Sequence, residues 1–102
     1  PTILAVLASA FIDMYRVRSA MQSGGTFKDL SATFPGEYNG KEFRLRNAER
    51  EVKRLSTEQL RRILDVLLQT DLALKSLKTD DRILLEEMIA RIMVITAKEN
   101  GH

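Results

Sequence analysis

From Ser56 to Leu77 the chain reads STEQLRRILDVLLQTDLALKSL, and aliphatic residues are spread widely around it off one narrow stripe. Projected at 100° per residue, Arg62, Asp65, Gln69, Ala73 and Ser76 fall on that stripe. Leu60, Ile63, Leu64, Val66, Leu67, Leu68, Leu72, Leu74 and Leu77 lie off it, in a sector wide enough for several neighbours to pack on one helix. Its start is sharply written. Ser56 and Gln59 make an S-x-x-Q capping box, and Leu55 is placed to staple onto Leu60. Asp71 projects among Leu64, Leu67 and Leu74, with Lys75 one turn on in the acid-first order that favours pairing. A carboxylate in such a sector needs a partner or a proton.

The remaining segments follow the same period. Ile3 to Gln22 predicts a central helix whose polar stripe is Ser9, Asp13, Arg16 and Ala20, stopped by Gly24-Gly25. Thr26 to Phe34 predicts a short helix opened by Thr26 and Asp29 and ended by Pro35-Gly36, with 37–40 as loop. Lys41 to Leu55 predicts a longer helix with a thin apolar seam (Phe43, Leu45, Ala48, Val52, Leu55) and a basic surface. Thr79 is placed to cap a last helix running to about Ala97, with Asp80 and Asp81 in its first turn and 98–102 as a frayed tail. That helix has a main apolar face (Leu84, Leu85, Met88, Ile89, Ile92, Ile95) and a second, thinner row opposite: Ile83, Ala90 and Val94. No stretch alternates with the period of a strand. The expected fold is therefore all-α: a five-helix bundle of four long helices and one short one, forming a single domain over 1–102.

Composition narrows the chemistry. There are no cysteines, and the only histidine is His102, so a zinc site or a Ser-His-Asp triad cannot be assembled. The net charge of +2 argues for no nucleic-acid partner by itself. The charge is uneven, however: Lys41 to Arg62 holds eight basic and four acidic residues, and Asp71 to Arg91 four basic and five acidic. The apolar run Ile3 to Ile12 is too short to span a membrane and lacks the marks of a secretory leader. The chain opens at Pro1 directly into that run, as expected for a piece of a longer, intracellular protein.

Candidate sites are few. Gly24-Gly25 lacks the spacing of a phosphate loop, and Asp80, Asp81, Glu86 and Glu87 lack that of a calcium loop. Asp71 with Lys75 is the one acid–base pair of interest; a structural tie, to an arginine of the 41–55 helix, is favoured over catalysis, and no pocket beside it is expected. The basic helix admits two functional readings. With residues 26–34 it outlines a helix-turn-helix module over 26–55, placing Arg44, Arg46 and Arg50 in a major groove. The same arginines also suit a protein interface. The row Ile83, Ala90, Val94 fits a seam for another subunit.

The block DLALKS (71–76) followed by DDRILLEEMI (80–89) resembles the C-terminal signature of the DNA polymerase III delta subunit, part of the bacterial clamp loader. EFRLRNAEREVKRLS (42–56) and FIDMYRVRSAMQSG (11–24) are similar to further stretches of that family. Two positions depart from it: Lys41-Glu42 stands where many members have His-Pro, and Asp81 where a proline is common. The resemblance implies a collar domain that joins gamma or tau and delta-prime subunits in a bacterial, cytoplasmic assembly. It further implies no catalytic residue, cofactor, metal or small-molecule substrate in this stretch. The sliding clamp and DNA would be reached only through other parts of the protein or the whole complex. The expected contacts are Arg44, Arg46, Arg50, Ile83, Ala90 and Val94, with Asp71 and Lys75 as a structural tie.

Overall fold

A computed structural model describes residues 3–76 and 78–100, the last three by their backbone alone. Six helices follow one another: α1 (Ile3–Gln22), α2 (Phe27–Thr33), α3 (Pro35–Tyr38), α4 (Glu42–Val52), α5 (Thr57–Ser76) and α6 (Asp81–Asn100). No strand occurs among the described residues. The all-α expectation holds, with six helices in place of five. The extra one is α3, a single turn led by Pro35 at its first position, where the fixed φ of proline suits a helix start. The sequence reading treats 37–40 as loop because Pro-Gly punctuates more often than it initiates; here it does both. The last helix also continues past Ala97 to Asn100. Leu77 and His102 lie outside the described residues.

The helix ends show why the elements stop where they do. At the head of α5, the Ser56 N–H donates to Gln59 Oε1 at 2.8 Å and the Gln59 N–H donates to Ser56 Oγ at 3.0 Å, closing the capping box. Gln59 then spends its amide on the Ile95 carbonyl at 3.1 Å, tying α5 to α6. At α2, Asp29 Oδ2 accepts the Thr26 N–H at 2.9 Å. Gly24 turns the chain after α1 at φ +83°, and the Gly25 N–H returns to the Ala20 carbonyl at 2.8 Å, the glycine stop read from sequence. The cap of α6 is Asp80, not Thr79: its Oδ1 accepts the Arg82 N–H at 2.9 Å.

Packing orders the long helices side by side as α4, α1, α5, α6, with α2 and α3 laid across the α1–α4 end. The core runs through Val17, Leu45, Val52, Leu60 and Ile63 to Met88. The result is flat, 42 × 37 × 18 Å, with a radius of gyration of 14.8 Å. A compact domain of this length comes to about 13 Å. Helix α6 packs principally on α5 and lies at one edge; α4 lies at the other.

Candidate functional site

The polar stripe of α1 faces inward. Asp13 is 3% exposed, and both its oxygens are taken. Tyr38 Oη donates to Oδ1 at 2.7 Å; Arg44 donates through Nη2 to Oδ1 at 2.9 Å and through Nε to Oδ2 at 3.0 Å. The Arg44 Nη2 also reaches Ser9 Oγ at 2.8 Å. Two-pronged guanidinium–carboxylate geometry of this kind is among the stronger polar contacts a protein makes. On the other side of Tyr38, Arg16 Nη1 donates to the phenol at 3.0 Å and to Glu37 Oε2 at 2.8 Å. The Arg16 guanidinium lies 4.0 Å from the centroid of Phe34, and Arg44 stands 5.2 Å from that of Tyr38. Three elements, α1, α3 and α4, therefore meet at one buried carboxylate.

The electrostatics follow from these contacts. Burial, then the hydrogen bond to Asp13, push the Tyr38 phenol above its ordinary value. The hydrogen bond from Arg16 holds Glu37 below the usual carboxylate range, and Glu37 in turn raises Arg16. Glu37 is exposed, whereas the Asp13 carboxylate and the Tyr38 phenol are shut off from solvent. The phenol is fully enclosed and spends its proton on Asp13. The network ties α3 and α4 to α1.

This centre corrects two expectations. The tie from an apolar helix to an arginine of the basic helix exists, but the acid is Asp13 and not Asp71. Asp71 accepts from Lys75 Nζ at 2.9 Å on the surface, with 42% of its own side chain exposed, because α5 is covered on fewer sides than its apolar sector suggests. Leu68 and Leu72 beside it are likewise exposed. Nor is Asp71 without a pocket: an open groove of 310 Å³ runs along α1 and α5 past Leu4, Ala8, Ile12, Leu64, Leu68 and Asp71. Asp71 is the single ionisable residue in its lining, and its carboxylate is held by Lys75 from beside the groove.

The expected contact residues divide. Arg44 is turned inward onto Asp13 and Ser9, with a quarter of its side chain left exposed. With α3 interposed between α2 and α4, that end departs from a helix-turn-helix. Arg46 and Arg50 are exposed on α4, where Arg50 donates to Asn47 Oδ1. With Phe27, Phe43 and Glu49 they surround a shallow groove of 380 Å³. Ile83, Ala90 and Val94 are exposed on α6, joined by Met93 and Ile89. Ala90 and Val94 border a groove of 560 Å³ against α5, walled by Glu58, Arg61, Arg62 and Glu87.

Sequence reasoning missed Asp13 and Tyr38. The available signal was a polar stripe on a helix otherwise too apolar to face water, which implies polar partners inside. Among the described residues no cluster of three or more acids or histidines could hold a metal ion, and no helix is long and apolar enough to cross a membrane.

Comparison with known proteins places this geometry. The family model of the DNA polymerase III delta subunit, C-terminal domain, matches residues 1–92, which take in the whole Asp13 centre and the first half of α6. No curated protein and no solved structure gives a match. Because the family match spans nearly the full length, the chain belongs to the DNA polymerase III delta subunit family, as its C-terminal domain.

Proposed function

We propose that this domain is a collar piece, anchoring delta beside gamma or tau and delta-prime subunits so that other parts of the clamp loader can act on the sliding clamp. Delta is a non-catalytic subunit of DNA polymerase III, so the role asked of this domain is mechanical. The observation that carries the reading is α6. Its apolar residues are spread around the circumference, yet it packs principally on α5. Ile83, Met93 and Val94 are left 54%, 63% and 64% exposed, and Ala90 between them lets another backbone approach closely. Association with a neighbour removes that row from water, worth about 25 cal/mol per Å² of apolar surface before the costs of binding. The row runs with a spacing of four to seven residues, as a helix–helix seam does.

The test uses the full-length delta-family protein carrying Ala90→Asp. Mixed with gamma and delta-prime, it is expected to lose the assembled complex in a mass measurement while its helical signal is unchanged. Assembly that survives the substitution, with affinity within a factor of two, removes α6 from the interface.

A further inference from the structure

The outer face of α4 is left unexplained by a seam on α6. On a helical projection Phe43, Arg46, Asn47 and Arg50 share one sector of α4, and Arg54 follows in the turn after it; Glu42 and Glu51 are set on the flanks, and Glu49 lines the groove beside the arginines. Phe43 is 57% exposed and stands with the half-buried Phe27 at the groove that Arg46 and Arg50 border. From this juxtaposition we propose that the outer face of α4 binds a single strand of nucleic acid, with Phe43 stacking on a base and Arg46, Arg50 and Arg54 following the phosphates.

The narrowness of the basic track supports one strand over two. Arg46 and Arg50, four residues apart on α4, are separated by a rise of about 6 Å along the helix. That is of the order of the separation between neighbouring phosphates along one strand, so each arginine can meet its own phosphate. The arginines form a single narrow track, and the glutamates beside it repel a second backbone. The chemistry also favours nucleic acid over an acidic protein segment. A protein interface wants a cluster of apolar residues at its centre. Here one exposed ring stands beside two arginines at a groove that Glu49 also lines, the pairing of stacking platform and basic track that single strands use. Arg54 makes only a 4.0 Å contact with Glu51, and Arg50 is held by the neutral Asn47, so both guanidiniums keep donors for phosphate.

The test measures fluorescence anisotropy of labelled oligo(dT) on the full-length protein over a range of salt. Three phosphate contacts give a slope of log affinity against log salt of about −2 from this face, and Arg46→Glu/Arg50→Glu flattens the total by about 1.4. Phe43→Ala is expected to weaken binding roughly tenfold with little change in slope. Arg82→Glu, on α6, is expected to change neither. The residues are exposed, so circular dichroism should match the unaltered protein in every variant. Oligo(dT) binding that ignores Phe43→Ala and the double substitution overturns the proposal. So does a duplex bound more tightly than oligo(dT) and weakened by the same substitutions, or an acidic peptide captured on this face where oligo(dT) is not. Loss of subunit assembly by Ala90→Asp leaves these measurements untouched, so the two readings stand or fall separately.

Discussion

Asp13 and Asp71 are both carboxylates on apolar helices, and what surrounds them gives them opposite weight. Removing Asp13 leaves the Arg44 guanidinium and the Tyr38 hydroxyl facing each other without an acceptor, in a place water reaches poorly. Losing one partner of a buried pair costs 3–5 kcal/mol; with Arg44 a quarter exposed, Asp13→Ala should cost about 3 kcal/mol in urea unfolding. Asp71→Ala removes an exposed i, i+4 pair and should cost under ~0.5 kcal/mol. Equal losses at the two sites would refute the assignment. Tyr38 makes a separate prediction in pH. Its folded value lies above the ordinary ~10, so the neutral phenol contributes in full below about pH 10 and the contribution is lost as pH rises through the folded value. Tyr38→Phe keeps the ring, gives up about 1–2 kcal/mol for the hydrogen bond, and should flatten the alkaline limb of the stability curve. Glu37 acts on the opposite limb: its value is lowered, so its contribution is present above about pH 4.3 and fades as pH falls through the folded value. A helical projection placed Asp13 and Asp71 at their angles correctly. It could not say which angle a neighbour covers, and that alone separates a core tie from a surface pair.

Helix starts and stops were the most legible features at the level of elements, because they are written within four residues. The Ser56–Gln59 box, the glycine stop after α1 and the Thr26–Asp29 contact all form as their residues suggest. The misses also have local causes. Asp80 displaces Thr79 as cap because its carboxylate reaches the Arg82 N–H one residue further on, and α3 exists because Tyr38 is drawn wholly into the Asp13 centre. That second cause is tertiary, and no four-residue window contains it. Gln59 does more than a capping residue normally does, since its amide also holds the Ile95 carbonyl. Gln59→Ala should therefore cost about 2 kcal/mol, against about 1 kcal/mol for Ser56→Ala, and only the former should loosen α6 in hydrogen exchange. Gly25 is constrained for a different reason. A Cβ there would stand 2.5 Å from Asp29 Oδ2, so Gly25→Ala must push the carboxylate off the Thr26 N–H. In a double-mutant cycle the loss of roughly 1 kcal/mol should shrink when Asp29→Ala is already present; additive losses would show that the clash is not with that side chain.

Stability across the whole molecule should be graded from the middle of the plate to its edges. Helices α1 and α5 each have long neighbours on two sides, while α6 leans on α5 and leaves Ile83, Met93 and Val94 to water. The sequence announced this shape only in part. Apolar residues all round a last helix imply that something covers it, but the pattern is the same whether the cover is intramolecular or another chain, so a closed bundle was as compatible with the residues as a flat array. Local opening is easiest where few apolar contacts close over the backbone hydrogen bonds. In the separate subunit, amides of α6 should exchange fastest among the long helices and those of α5 around Leu60 and Ile63 slowest. Addition of gamma and delta-prime should then slow α6 selectively, since a partner that binds only the ordered helix stabilises it in proportion to its occupancy. If α6 is already as protected as α5 before partners are added, the apolar row is not a free edge. If partners slow α4 and leave α6 unchanged, the anchoring contact lies on the other edge, and the single-strand reading of the Phe43 face must give way to a protein there.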